Sequence, residues 1–297
     1  MKGDRSLKTT INRRKKPHWL KMPTMGNHSA GEVRKILSRM DLNTVCDEAR
    51  CPNRGYCYQR GTATFLLLGS TCTRNCAYCA IEKNVSSPPL PDPSEPARIA
   101  EASAAMKLTY VVLTSVTRDD LPHGGAEHFA ETVSELRKAI EGVRVEVLTP
   151  DFAGDETALR TIARCRPDVF NHNLETVRRL FPALRPIASY DQSLHVLKRF
   201  SEMSPGIPTK SGIMVGLGEN ESDVVETLHD LRKNGVSLLT IGQYLQPTSD
   251  HIPVSRYLEP GEFVHWEETA LEMGFAGVAS GALVRSSFHA DILAENK

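Results

Sequence analysis

A chain of 297 residues with 40% hydrophobic and 24% charged residues has the make-up of a globular protein with room for one large α/β core. Its 36 Lys and Arg balance 36 Asp and Glu, which leaves no overall field to draw nucleic acid. No apolar run approaches the ~20 residues of a membrane span, and the basic start has no apolar stretch behind it, so neither a membrane helix nor a secretory signal is expected.

Residues 1–30 carry eight Lys and Arg (Lys2, Arg5, Lys8, Arg13, Arg14, Lys15, Lys16, Lys21) against one acid, Asp4. Without a helical or strand period this is a solvated arm or, functionally, a basic contact for an acidic protein partner. Trp19 and Leu20 are suited to tack it onto the body. Gly31–Met40 places Val33, Ile36, Leu37 and Met40 at helical spacing and predicts a short amphipathic helix. Cys46-Asp-Glu-Ala-Arg-Cys51-Pro-Asn-Arg-Gly-Tyr-Cys57 follows, a C-x4-C-x5-C run on a turn-forming loop.

An apolar strand, Ala63–Ser70, then leads into Cys72-Thr-Arg-Asn-Cys76-Ala-Tyr-Cys79. Thiols at C-x3-C-x2-C fit one corner of a cubane iron–sulfur cluster and leave one of its irons open to another ligand. The alternative, zinc, needs a fourth Cys or His close by, and the next histidine downstream is His123. The upstream triad poses the same choice, with zinc and a remote ligand as the alternative. Six of the seven cysteines fall between Cys46 and Cys79, a clustering that suits cofactor ligation in a reducing, cytoplasmic compartment better than a disulfide framework.

Beyond the proline-rich connection Pro88–Pro93, strand and helix alternate. Ser94 is the expected N-cap of a helix to about Lys107. Strands are expected at Thr109–Ser115, Arg144–Thr149, Asp168–Asn173, Lys210–Gly216 and Leu238–Leu245. Helices are expected at Glu127–Ile140, Glu156–Cys165, Leu174–Leu180, Tyr190–Met203, Ser222–Lys233 and Glu262–Met273. Six βα units in a row predict a parallel sheet with right-handed crossovers, a partial (β/α)6 TIM-like barrel. No strand leads into Gly-x-Gly-x-x-Gly, which argues against an open dinucleotide-binding sheet. The expected division is a 1–62 extension, a 63–280 barrel and a 281–297 tail.

Chemistry in such barrels gathers at the C-terminal ends of the strands. The Cys72–Cys79 loop belongs there, as do Thr117–Gly125, Asn173, Glu175, Gly216–Glu219 and Gln243–Gln246. Gly124 and Gly125 offer bare backbone to a ligand amino group, or a turn into a helix. Glu175 can accept from a ribose or begin a helix, and Tyr78 can cover an adenine or pack at the surface. Cys165 reads as an inert thiol and His172 as a hydrogen-bonded core histidine. In the tail, Arg285-Ser286-Ser287 is odd for a helix and useful for a metal.

The Cys72–Cys79 spacing, with an aromatic before the last cysteine, resembles the radical S-adenosylmethionine (radical SAM) superfamily. Adding C-x4-C-x5-C, Arg118-Asp-Asp…Gly124-Gly125 and Arg285-Ser286-Ser287, the chain from Lys16 to Ala290 resembles the lipoyl synthases, with Phe288 where that family usually has Tyr. The resemblance implies a 4Fe–4S cluster on Cys72, Cys76 and Cys79 that binds and cleaves SAM, with Tyr78, Gly124, Gly125, Asn173 and Glu175 as SAM contacts. It implies a second 4Fe–4S cluster on Cys46, Cys51 and Cys57, with Ser287 as fourth ligand, that donates sulfur. The implied reaction puts sulfur on C6 and C8 of an octanoyl chain on a lysine of a lipoyl carrier domain or glycine-cleavage H protein. A low-potential donor of ferredoxin or flavodoxin type and iron–sulfur assembly or carrier proteins are the other implied partners. Two further classes stand beside it: another radical SAM enzyme whose auxiliary cluster binds substrate or relays electrons, and an iron–sulfur electron carrier, against which the βα body argues.

Overall fold

Apolar runs become parallel strands when both faces of a sheet are covered by helices. The computed structural model describes residues 15–21, 28–48, 51, 53–59, 62–83 and 88–295; most of the basic arm lies outside them. In chain order the elements are α1 (His28–Arg39), α2 (Val45–Glu48), α3 (Arg54–Gln59), β1 (Thr62–Leu67), β2 (Thr71–Cys72), β3 (Glu82–Lys83), α4 (Glu95–Ala105), β4 (Tyr110–Ser115), α5 (Ala126–Ala139) and β5 (Arg144–Leu148). They continue with α6 (Glu156–Cys165), β6 (Val169–Asn171), α7 (Phe181–Leu184), α8 (Tyr190–Met203), β7 (Thr209–Val215), α9 (Glu221–Lys233), β8 (Leu238–Gln243), α10 (Pro260–Glu272), β9 (Gly277–Gly281) and α11 (Ala290–Leu293).

Seven strands pair in parallel in the order β1-β4-β5-β6-β7-β8-β9, and β2 pairs with β3 apart from them. The order never reverses, so the sheet winds in one direction, as in a partial barrel, with β1 and β9 at its edges. The sequence predicts six strands; β9 is the seventh. Its Gly-Val-Ala-Ser-Gly makes no apolar run, and it pairs with β8 because its small residues fit there. The free edge of β1 is covered from upstream, where Thr44 bridges Phe65 and Leu66 N–H donates to Asn43 O at 2.9 Å.

Local signals explain most helix starts. Asp155 caps α6, Ser189 caps α8, and Asn220 with Asp223 forms a capping box on α9. At α4 it is Asp92, not Ser94, that accepts a backbone N–H, from Ser94 at 2.8 Å. The helix expected at Leu174–Leu180 does not form: Glu175 has φ +73° and exchanges backbone bonds with Gly212 and Met214 of β7. Trp19 and Leu20 do tack the chain down, Trp19 Nε1–H donating to Leu258 O at 3.1 Å and Leu20 being buried.

Two features position the ends of the sheet. At the N-terminal ends of the strands, Ala290 and Leu293 of α11 pack on Tyr110, Val112, Val169 and Leu238. Midway, fully buried Glu146 is met by Lys210 Nζ at 3.0 Å, Asn171 Nδ2 at 2.7 Å and Tyr110 OH at 2.9 Å, a buried charge pair with its hydrogen bonds filled.

Candidate active site at the strand ends

The Cys72–Cys79 loop leaves the C-terminal end of β1 and is pinned from several directions. Thr73 N–H and Oγ1–H both reach Thr117 O, at 3.0 and 2.9 Å. Arg74, buried between the first two cysteines of the loop, forks onto Asp119 at 2.8 Å beyond β4 and onto Asp151 at 2.7 and 2.8 Å beyond β5. Burial alone would raise Asp151, but the Arg74 hydrogen bonds and charge outweigh it and hold its carboxyl at about 2. His251 Nε2–H donates to Cys79 O at 2.9 Å, Lys83 Nζ to Cys76 O at 3.0 Å, and Ala77 N–H to Leu184 O at 2.9 Å. The backbone N–H of Arg74 points at Cys72 Sγ, 3.4 Å away.

Cys72 lies close enough to raise the proton affinity of Cys76, and both raise that of Cys79. Burial pushes Cys79 up to about 11 and raises Cys76, which Arg185 opposes. Arg185 is buried, its Nη1 donates to Asn173 O at 3.2 Å, and its Nε has no partner. Burial also raises Glu175, against the pull of Arg185 and a hydrogen bond from Asn173. His172 is buried with Nδ1 on Thr149 O at 2.9 Å; burial, helped by Arg185, lowers it to about 4, so the ring is neutral near pH 7.

Asn173, Glu175 and Tyr78 therefore gather beside the cysteine loop, as expected from the sequence. Tyr78 packs against the buried cluster of Leu184, Leu217 and Tyr244. Gly124 and Gly125 serve the turn into α5: a Cβ on Gly125 would lie 2.6 Å from Leu68 Cδ1, and one on Gly124 would lie 2.9 Å from Phe152 Cδ1. Gly216–Glu219 folds on itself, with the Glu219 carboxylate accepting from Gly216 N–H at 2.6 Å and Leu217 N–H at 2.9 Å. Cys165 is half-buried, with burial pushing its thiol up to about 11. A cavity of ≈ 330 Å³ between the first turns of α9 and α10 has none of the six motif cysteines in its lining.

The second triad rides on α2 and α3 against the outer edge of β1. Burial pushes Cys46 up to about 11, with Cys51 close by and the Tyr58 hydroxyl hydrogen-bonded to it. Tyr58 OH also meets Thr44 Oγ1 at 3.1 Å and Asp47 Oδ2 at 3.3 Å. The tail arrives from the far edge of the sheet: Asn53 Nδ2–H donates to Leu283 O at 2.6 Å, and Tyr56 OH meets His289 Nε2 at 3.1 Å. Half-buried Arg285 lies within electrostatic reach of Cys51. Ser286 Oγ is buried without a partner, and Ser287 is half-buried.

A radical SAM superfamily model matches residues 66–231. The lipoyl synthase of Syntrophotalea carbinolica is 51% identical over 281 residues, covering 94% of this chain and 90% of that one. The lipoyl synthase of Caldanaerobacter subterraneus is 52% identical over 278 residues, covering 94% and 96%. The chain belongs to the lipoyl synthase family. As a lipoyl synthase with a radical SAM core it is an enzyme, and its superfamily carries a 4Fe–4S cluster and SAM. Solved structures agree on the fold: methylornithine synthase has a TM-score of 0.54 at 14% identity over 80% of this chain and 72% of that one. A FeFe-hydrogenase maturase has 0.57 at 14% identity over 84% and 65%. Among the described residues no helix is long and apolar enough to cross a membrane.

The lipoyl synthase site fits its cluster on chemical grounds. Each triad offers three cysteine thiols within a dozen residues, the donor type that iron–sulfur clusters take. The strand ends beside the first triad hold buried polar atoms with no protein partner, among them Ser115 Oγ, Thr149 Oγ1, His172 Nε2, Asn173 Oδ1, Arg185 Nε and Ser280 Oγ, as a polar ligand would need. Sequence reading missed Arg74, Arg185, His251 and Tyr58. The signal for Arg74 was present as acids just past two strand ends, Asp119 and Asp151; the others had none.

Proposed function

We propose that this lipoyl synthase inserts two sulfur atoms, at C6 and C8, into an octanoyl chain carried on a lysine of a lipoyl carrier domain or glycine-cleavage H protein. The observation that supports this best is the hydrogen bond from Asn53, which lies between Cys51 and Cys57, to Leu283, two residues before Arg285-Ser286-Ser287. Cys72, Cys76 and Cys79 would hold the SAM cluster; Cys46, Cys51, Cys57 and Ser287 would hold an auxiliary 4Fe–4S cluster. When bound, these groups supply the electron that splits SAM into methionine and a 5′-deoxyadenosyl radical, and the sulfur that enters the product. An unactivated C–H bond offers no proton that a side chain could remove at a useful rate, so the protein's own work is binding and placement.

Arg185, buried with no acid within ion-pair distance among the described residues, would take the carboxylate of SAM. Asn173 and Glu175 would accept hydrogen bonds from its ribose hydroxyls, and the apolar group around Tyr78 would cover its adenine. Gly124 and Gly125 can add backbone contacts to the SAM amino group only from the face not taken by Phe152 and Leu68. Arg74 and His251 keep the cysteine loop still while these contacts form. At the auxiliary site a serine oxygen is the hard ligand among soft ones, so that corner is the weakest.

A low-potential reductant of ferredoxin or flavodoxin type would supply electrons, and iron–sulfur assembly or carrier proteins would rebuild the auxiliary site. The basic arm would steer an acidic carrier; deleting residues 1–15 should weaken carrier binding and flatten its salt dependence while sparing SAM cleavage. The deciding experiment loads the protein with heavy-isotope sulfide and supplies octanoylated carrier. Two labelled sulfurs in the lipoyl product are expected. Unlabelled product would instead favour a radical SAM enzyme whose auxiliary cluster binds substrate or relays electrons.

A further inference from the structure

Two residues inside the C-x4-C-x5-C run grasp the tail on either side of its serines. Before them, Asn53 Nδ2–H donates to Leu283 O at 2.6 Å across 230 positions of sequence. Asn53 is 1% exposed, and its Oδ1 has no partner, so its carboxamide faces the tail rather than water. After them, the Tyr56 ring lies 5.7 Å from that of Phe288 and 5.5 Å from that of His289, with its hydroxyl 3.1 Å from His289 Nε2. Between these two points the tail makes a turn in which Phe288 N–H donates to Arg285 O at 2.9 Å. On the far side Val284 is buried against β8 and β9. A Cβ on Gly242 of β8 would stand 2.3 Å from Val284 O, so only glycine there lets the tail lie against the sheet.

We propose that Asn53 and Tyr56 are positioning residues, a two-point latch that holds the tail in the register that brings a serine hydroxyl to the auxiliary cysteines. The reading rests on the proposed auxiliary site, but the latch itself is a contact between two pieces of protein and can be tested apart from it. Its chemistry also accommodates Phe288: with no hydroxyl at 288, the polar contact at this end runs from Tyr56 to His289.

The test is amide hydrogen exchange of residues 283–289 in the cluster-loaded protein, alongside the rate at which a chelator removes iron. Asn53→Ala and Tyr56→Ala should each speed exchange of 283–289 about fivefold to tenfold, the effect of one neutral hydrogen bond or ring contact. Exchange in β4–β8 and SAM cleavage should stay as in the parent. Tyr56→Phe, which keeps the ring, should give a smaller increase, and guards against a variant that fails to fold. Ser287→Ala should speed iron loss yet leave 283–289 as protected as in the parent. Unchanged exchange in both Asn53→Ala and Tyr56→Ala would overturn the latch. Exchange that rises in Ser287→Ala as much as in Asn53→Ala would also overturn it, because the cluster and not the latch would then hold the tail. Faster exchange in the latch variants with unaltered iron loss in all three would support the latch and refute the serine as a ligand.

Discussion

The two cysteine triads are built on opposite plans. The Cys72–Cys79 loop is tied to the sheet by charge, with Arg74 forked onto acids beyond two different strands and backbone carbonyls of the loop bound by Lys83 and His251. The Cys46–Cys57 run lies outside the sheet on two short helices, and what closes it is a distant tail held by neutral hydrogen bonds and ring contacts. The difference teaches that similar thiol spacings can be given different anchorage: one loop is locked to the scaffold by charge, whereas the other is met by a separate segment through neutral contacts. Under the proposed function the first would keep its shape through many turnovers and the second would be dismantled and rebuilt.

The largest effect that would sharpen this contrast comes from deleting each triad. Replacing Cys72, Cys76 and Cys79 with Ala should remove half the iron and abolish SAM cleavage. Replacing Cys46, Cys51 and Cys57 should also halve the iron but spare reductive SAM cleavage while ending sulfur insertion. Iron analysis and 5′-deoxyadenosine assays decide it, and equal loss of SAM cleavage in both sets would erase the distinction.

Next in size is the charged lock. Asp151→Asn leaves Asp119 as the remaining counter-charge of buried Arg74, a loss of about 1–3 kcal/mol that should appear in denaturant unfolding. Because Asp151 is held at about 2, below its ordinary 3.8, its contribution is fully present above about pH 4 and is lost as pH falls toward 2. The parent should lose more stability over that interval than the variant, in which the other paired carboxylates such as Asp120 and Asp223 still titrate; parallel acid profiles would show that the lock contributes nothing.

Smaller in stability but decisive for chemistry is Ser287→Ala. Iron content and SAM cleavage should remain near normal while lipoyl product falls about tenfold or more, the scale on which changes around a metal site act. Full product from Ser287→Ala, with loss only in Ser286→Ala, would move the role to Ser286, whose buried hydroxyl has no partner.

The smallest effect lies at His123, whose ring meets Asp155 Oδ2 at 2.6 Å on the surface. The hydrogen bond and charge of Asp155 raise His123 above its ordinary 6.5 against a little desolvation. Its contribution is therefore fully present below about pH 6.5 and fades as pH climbs through the raised value. A shallow decline in melting temperature over that range should vanish in His123→Asn.

Much of this was legible before any coordinates. Runs such as Tyr110-Val-Val-Leu and Gly212-Ile-Met-Val announce strands, and cysteine spacing announces ligation, because both signals are local in the chain. What escaped was non-local or small. Gly277–Gly281 pairs with β8 through its backbone without an apolar run to show it. Glu175 looked like a helix start, yet its backbone turns to bridge β7. Arg185 resembles any loop arginine until burial leaves its Nε without a partner beside Asn173 and Glu175. Tyr58 and His251 act on Cys46 and Cys79 through folded proximity, which no spacing rule records.

The bond from Asn53 to Leu283 has a consequence for how the molecule assembles. It joins positions 230 apart, among the most distant partners in the chain, and so carries one of the largest loop-closure penalties. Each βα unit can dock on the preceding one through nearby contacts, but the tail can meet the Cys46–Cys57 run only after all of them have formed. The tail should therefore be the last part to acquire protection in a refolding reaction followed by pulsed exchange, and the first to lose it when the protein is warmed.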